Sequence, residues 1–198
     1  YRVEEMLAEG MDILDVGGES TRPGHTTISA EEEIARVVPV IEAIKSRFDV
    51  PVSLDTYKSE VAKAGIRVGV DLINDIWGLK EDKAMAKVIA DSGVACCLMH
   101  NRKEADYREL IPDMQKDLQE SVELALVAGI SIEKIILDPG IGFGKSYVDN
   151  MEVIRRMENF RELGYPLLLG ASRKSVIGLT LDLPVEERLE GTLVTTVM

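Results

Sequence analysis

Three polar side chains close short apolar runs of this sequence: Asp55 ends the run 50–55, Asn74 the run 70–74, and Asp138 the run 135–138. A carboxylate so placed can accept hydrogen bonds from a planar amino-heterocycle, while an asparagine amide donates and accepts along one edge. Each could equally cap a following helix, because Asp and Asn satisfy free helical amides well. One alone reads as a cap; three in matching positions favour ligand binding. Gly170-Ala171-Ser172-Arg173-Lys174-Ser175 brings two cations and two hydroxyls to the end of another run. Near a helix N-terminus that set suits a carbonyl or phosphate oxygen; the alternative is a solvated basic turn. Gly17-Gly18-Glu19-Ser20-Thr21-Arg22-Pro23-Gly24 offers backbone amides, two hydroxyls and a guanidinium to an anion. It can also be read as a surface connection with one incidental arginine.

Asp138-Pro139-Gly140-Ile141-Gly142-Phe143-Gly144-Lys145-Ser146 contains a Gly-Lys-Ser that invites a P-loop reading. A Walker A loop needs glycine five positions before the Gly-Lys pair, and Pro139 stands there. What remains is a flexible loop after a strand-end carboxylate. His25 and His100 are the two histidines, with no HExxH or His/Cys cluster and no G-x-S-x-G elbow.

The whole chain has 198 residues with 35 acidic and 23 basic side chains, a net charge of −12. That balance argues against a nucleic-acid-binding or polybasic membrane protein, whose affinity rests on clustered Lys and Arg. It leaves an anionic small molecule open, since local charge decides that. No apolar run approaches the ~18 residues of a membrane span. Cys96 and Cys97 are adjacent and match neither a framework disulfide nor a zinc spacing, which points to a reducing, cytoplasmic setting.

Six short apolar runs, 11–16, 50–55, 70–74, 94–100, 135–138 and 166–172, read as strands buried on both faces of a parallel sheet. Helical spacing fills the segments 31–48, 59–66, 83–92, 113–128, 151–163, 175–181 and 185–197. Ser29 and Glu32 have capping-box spacing, Pro39 lies inside the first long helix and is expected to kink it, and Gly65, Gly69, Gly93, Gly129 and Gly164 fall near or just after helix ends. This alternation fits an open doubly wound sheet or a (β/α)8 TIM barrel. Every run delivers polar or glycine-rich residues at its C-terminal end, which favours the barrel.

The strings Asp15-Val16-Gly17-Gly18-Glu19-Ser20-Thr21-Arg22-Pro23-Gly24, Ser53-Leu54-Asp55-Thr56-Tyr57-Lys58, Asn74-Asp75-Ile76-Trp77-Gly78, Leu98-Met99-His100-Asn101, the 138–145 loop and the 170–175 segment occur here in one order. Together they resemble the bacterial dihydropteroate synthases of the pterin-binding family. The resemblance implies a TIM barrel that joins 6-hydroxymethyl-7,8-dihydropterin diphosphate to p-aminobenzoate, giving 7,8-dihydropteroate and pyrophosphate, and that is the target of sulfonamides. Carried over by position, Asp138 and Asn74 resemble the reader of the pterin's amino-pyrimidine edge, and Asp55 the carboxylate beside its reacting side. Lys174 resembles the lysine on the pterin carbonyl and ring nitrogen. Met99 and Phe143 resemble wall residues, and Gly170 allows close approach. Thr21, Arg22 and Ser175 resemble residues around the diphosphate and p-aminobenzoate. Asp55 and Lys174 are the expected catalytic pair.

The family's Asn-Val-Thr-Pro-Asp motif, whose Asn binds Mg²⁺ on the diphosphate, and its Arg-x-His motif on the last strand are both missing from residues 1–198. The expectation is therefore a single pterin-binding domain over 1–198, cut at both ends and holding strands two to seven of eight, with no metal ligand of its own. The complete protein is expected to be a cytoplasmic homodimer using Mg²⁺. A pterin-binding methyltransferase and a non-catalytic pterin-binding module are the competing readings.

Overall fold

The computed structural model describes residues 1–21 and 26–197. Arg22 and His25, both singled out above, lie outside the described residues. Helix α1 (Arg2–Ala8) leads into β1 (Leu14–Gly17), followed by α2 (Ala30–Lys45), β2 (Val52–Asp55), α3 (Ser59–Arg67), β3 (Leu72–Asp75), α4 (Met85–Ser92), β4 (Ala95–Met99), α5 (Leu110–Ala128) and β5 (Ile135–Asp138). Helices α6 (Tyr147–Arg155), α7 (Ser175–Leu181) and α8 (Leu189–Val197) complete the chain. All pairings are parallel, in the spatial order β1-β2-β3-β4-β5. A doubly wound sheet reverses its order at a switch point, whereas a barrel adds each strand beside the last. The sequential order is the barrel's.

The sixth expected strand is a correction. The 166–172 run joins β5 through a single bridge, Leu137 to Leu167, with Leu137 N donating to Pro166 O at 2.9 Å and Leu168 N to Leu137 O at 2.8 Å. Pro166 has no N–H to extend a ladder, and Gly170 carries no side chain to pack, so the run leaves the sheet early. Its direction and place still continue the barrel order.

Alternation along the strands sorts their side chains into two sets. Leu14, Val52, Leu54, Ile73, Leu98, Ile135 and Leu137 join the core beneath the helices, against Val37, Ile41, Val61, Ile89 and Leu118. Burying each such side chain contributes about 1.5–3 kcal/mol. The other set, including Asp15, Ser53, Asp55, Asn74 and Asp138, faces the barrel interior and lines a cleft.

Several local expectations changed. Ser29 Oγ accepts from Glu32 N at 3.2 Å, but the Glu32 carboxylate pairs with Arg36 at 2.6 Å instead of returning to the cap. The full capping box is at Ser146 and Asp149, and it starts α6 four residues earlier than the 151–163 spacing predicts. The rest of that expected helix, Met157–Leu163, is 3-10, and so is Val185–Glu187 ahead of α8. Helix α2 continues through Pro39, which lies inside it as the spacing predicts. Gly93, Gly129 and Gly164 do take the left-handed C-cap conformation.

Gly65 lies near the C-terminal end of α3, where an added Cβ would overlap Leu54 Cδ2 and come within 3.2 Å of Val70. The helix can approach β2 this closely only because the position is bare. Gly65→Ala is therefore expected to destabilise the fold by about 1–3 kcal/mol through overpacking. Urea denaturation checks this, and an unchanged midpoint would contradict the packing argument.

Candidate active site

Inward strand parity and the loops beyond the strands bring together eight of the residues selected by sequence: Asp55, Asn74, Met99 and Asp138 from strands, with Thr21, Phe143, Gly170 and Lys174, line one cleft of about 430 Å³. Its lining includes the C-terminal strand residues Asp55, Met99 and Asp138. Ser175 is not among the lining residues; it is exposed at the first position of α7. The capping alternative for the strand-end residues can be checked directly. The N-cap positions of α3, α4 and α6 are Lys58, Ala84 and Ser146, so Asp55, Asn74 and Asp138 cap none of them. Their side chains are left to the cleft.

Asp138 is buried, and its Oδ1 accepts from Gly140 N at 2.7 Å. Its Oδ2 faces the bare Cα of Gly170, where a Cβ would come within 3.3 Å. Burial holds this carboxyl above the usual range, opposed by the Gly140 amide and the cations Lys174 and Lys145. A ligand donating two N–H bonds to it would favour the ionised form.

Lys174 reaches across the same floor. Its ammonium donates to Ile141 O and stands 4.5 Å from the centroid of the Phe143 ring. Burial pushes its pKa down, against the pull of Asp138 and Asp55. The lysine thus holds its cation over a wall residue and beside two carboxylates.

Asp55 is the least satisfied group. Its Oδ1 is buried and has no hydrogen-bond partner among the described residues. Burial, and then the carboxylates of Asp15, Glu33 and Asp75, push its pKa up to about 7, with Lys174 opposing. An unpaired buried carboxylate oxygen costs free energy unless something positive arrives beside it.

Sequence reasoning passed over Asp15 and Ser53. Both line the cleft, and they are register partners in β1 and β2. The signal was parity: Asp15 precedes Gly17 by two positions and Ser53 precedes Asp55 by two, so each shares its strand's inward face. Asp75, next to Asn74, faces the other way and accepts the Trp77 and Leu79 amides at 2.9 and 2.8 Å. Among the described residues no three His, Cys, Asp or Glu side chains gather as a metal-binding group.

A family model described as pterin binding enzyme matches residues 1–198. The chain belongs to the pterin-binding enzymes. Within that family it is similar to proteins named dihydropteroate synthase. It is 60% identical over 196 residues to that of Clostridium beijerinckii, covering 99% of this chain and 73% of the relative. It is 54% identical over 189 residues to that of Bacillus subtilis, covering 96% of this chain and 66% of the relative. The structure superposes on a Clostridium difficile dihydropteroate synthase crystallised with pteroic acid at TM-score 0.97, with 47% identity, covering 98% of this chain and 74% of that one. A Yersinia pestis dihydropteroate synthase in complex with a sulfonamide drug gives TM-score 0.95 at 38% identity, covering 98% and 73%. The pterin-binding family therefore accounts for the barrel order, and the match extends over nearly every residue described above.

Proposed function

We propose that the cleft seats the pterin ring of 6-hydroxymethyl-7,8-dihydropterin diphosphate, and that the whole protein joins this substrate to p-aminobenzoate to give 7,8-dihydropteroate and pyrophosphate. The observation that carries the reading is Asp138. One oxygen is committed to the Gly140 amide, the other lies beside Gly170, and Asp138 and Gly170 both line the cleft. That geometry suits the paired N–H donors of an amino-pyrimidine edge, with the Asn74 amide alongside and the Lys174 ammonium reaching the ring carbonyl and nitrogen.

The reaction then follows from charge. The bond between the pterin methylene and the diphosphate oxygen breaks, both electrons leave with pyrophosphate, and the pterin ring delocalises the positive charge. Asp55, with an unpaired oxygen, supplies fixed negative potential where that charge develops. The arylamine nitrogen attacks the methylene and afterwards releases one proton. An arylamine is nucleophilic in its neutral form, so no strong base is needed beforehand. Thr21 lines the cleft and is suited to the diphosphate and p-aminobenzoate side, a role this reading extends to Arg22 and Ser175. Mg²⁺ belongs to the same proposal as a companion of the diphosphate.

A cytoplasmic location also belongs to this reading, supported by two buried free cysteines and by the absence of any membrane-crossing helix among the described residues. So does a homodimer, supported by the exposed apolar side chains Leu179, Leu193 and Val194 on α7 and α8.

Calorimetry and a pyrophosphate assay on the full-length protein test the proposal. Saturable binding of the pterin diphosphate, followed by pyrophosphate release when p-aminobenzoate is added, is the expected result. Binding of a methylated folate without pyrophosphate release would favour the methyltransferase instead, and pterin binding without turnover would favour a non-catalytic module.

A further inference from the structure

The loop between Asp138 and Lys145 is wound around one ammonium. Gly140, Gly142 and Gly144 all adopt left-handed φ, at 69°, 87° and 54°. A Cβ at Gly140 would overlap the His100 carbonyl, and one at Gly144 would lie 2.7 Å from Arg102 N. This packed winding brings two loop carbonyls to a single cation. Lys145 Nζ donates to Gly140 O at 2.9 Å and to Phe143 O at 2.8 Å. Its third proton meets His100 Nδ1 at 3.0 Å. An ammonium has three donors, so all are used.

The histidine is held in turn. With Nδ1 accepting from Lys145, the ring proton belongs on Nε2, which donates to Asp117 Oδ2 at 3.0 Å. Burial holds His100 down to about 4, so the ring is neutral and its Nδ1 lone pair stays available. Asp117 also accepts from Arg102 Nε at 2.6 Å. The Arg102 guanidinium stacks 4.5 Å from the centroid of Tyr107, whose hydroxyl donates to Gly144 O at 2.6 Å. The circuit begins and ends on the loop. None of its side chains lines the cleft, but Asp138 and Phe143, at either end of the segment they brace, both do.

We infer that Lys145 is a positioning residue for the pterin site: through Gly140 O and Phe143 O it holds the Asp138 carboxylate and the Phe143 ring in their binding arrangement, with His100 orienting the ammonium. The assignment rests on the pterin reading of the cleft. Its physical basis is the entropy of a loop with three glycines, which is large to lose on binding unless it has been lost beforehand. All three acceptors of Lys145 are neutral, so its hydrogen bonds shape the loop; burial pulls the lysine down to about 7, and its charge also acts on Asp138.

Two readouts on the full-length protein test this. In Lys145→Met, hydrogen exchange of the ligand-free protein over residues 138–146 should accelerate about tenfold while β2 and β3 are unchanged. The KM for the pterin diphosphate should rise about tenfold, with that for p-aminobenzoate within about twofold. His100 supplies a pair of variants should Lys145→Met fail to fold. Asn keeps an acceptor near Nδ1 but loses Asp117, whereas Gln reaches Asp117 and leaves Lys145 short of one acceptor. His100→Gln should raise the pterin KM and His100→Asn should not; a role in stability alone predicts no such ranking. Unchanged exchange over the loop, or equal effects of the two His100 variants, overturns the assignment. Faster loop exchange in Lys145→Met, alongside a parent protein that binds no pterin, upholds the brace and overturns the pterin reading instead.

Discussion

Asp138→Asn is expected to weaken pterin binding by about 1–3 kcal/mol, roughly a fivefold to 150-fold rise in Kd, with little change in thermal stability. The two halves of this prediction come from the two oxygens of one carboxylate. Oδ1 accepts the Gly140 amide at 2.7 Å, and an asparagine oxygen can take over that bond, so the turn after β5 survives. The other oxygen becomes an NH₂ group beside Gly170 and faces the ligand's own donors. Donor then meets donor in a buried site, and both lose their partners. Burial already holds the carboxyl of Asp138 above its ordinary range, so the free protein gains from losing the charge while the complex loses its main acceptor. Calorimetry with the pterin and a melting curve measure the two halves separately. An unchanged Kd would remove Asp138 from the site, and a collapsed Tm would make its role structural.

Asp55→Asn should act on the rate. Replacing a fixed negative charge beside a developing cation is expected to cost about 10²–10³ in kcat, the range seen when one preorganised electrostatic group is removed from an active site. Ground-state pterin binding should change much less, because the charge that Asp55 answers forms only as pyrophosphate leaves. The pH dependence has a definite sign. The carboxyl is pushed up to about 7, chiefly by burial and then by Asp15, so the useful ionised form is lost as pH falls through that value. The rate should fall tenfold per unit below it, and this limb should vanish in Asp55→Asn. Stability runs the opposite way. The folded pKa lies above the ordinary carboxylate value, so native protein holds this proton where the unfolded chain has lost it. The contribution of Asp55 to stability is therefore greatest below about pH 4 and is lost as pH rises through about 7. At pH 8 Asp55→Asn should melt higher than the parent while turning over far more slowly. A variant both slower and less stable at that pH would show that Asp55 is a packing group.

Much of this was legible in the chain because it is local. Apolar runs bounded by polar residues located five strands, and the 166–172 run was found too, although Pro166 and Gly170 keep it from laddering. Helix ends at Gly93, Gly129 and Gly164 followed from the left-handed backbone that glycine tolerates. Gly65 falls near a helix end as expected, but its close approach to Leu54 was not legible, because that is a contact between residues far apart in sequence. The break in the 151–163 helix escaped for a similar reason: apolar spacing continues through Arg156 while the helical hydrogen bonds do not.

The strand-end residues Asp55, Asn74 and Asp138, the glycine loop and Lys174 were determined by the sequence as a chemical inventory, and their motif order already resembled one family. Tertiary structure decided which of them meet. Strand parity turned Asp15 and Ser53 into the cleft and Asp75 out of it, though Asn74 and Asp75 are neighbours in the chain. The same packing put Ser175 at the surface one residue after Lys174. It also gave Lys145 a use that its spacing had only denied, since the failed P-loop pattern says nothing of His100 lying 3.0 Å away. Residue type sets what a side chain can do, and period-two alternation limits where it can point. Only the closing of strands and loops around a common interior sets the distances at which an orphaned carboxylate or a buried ammonium acquires a task.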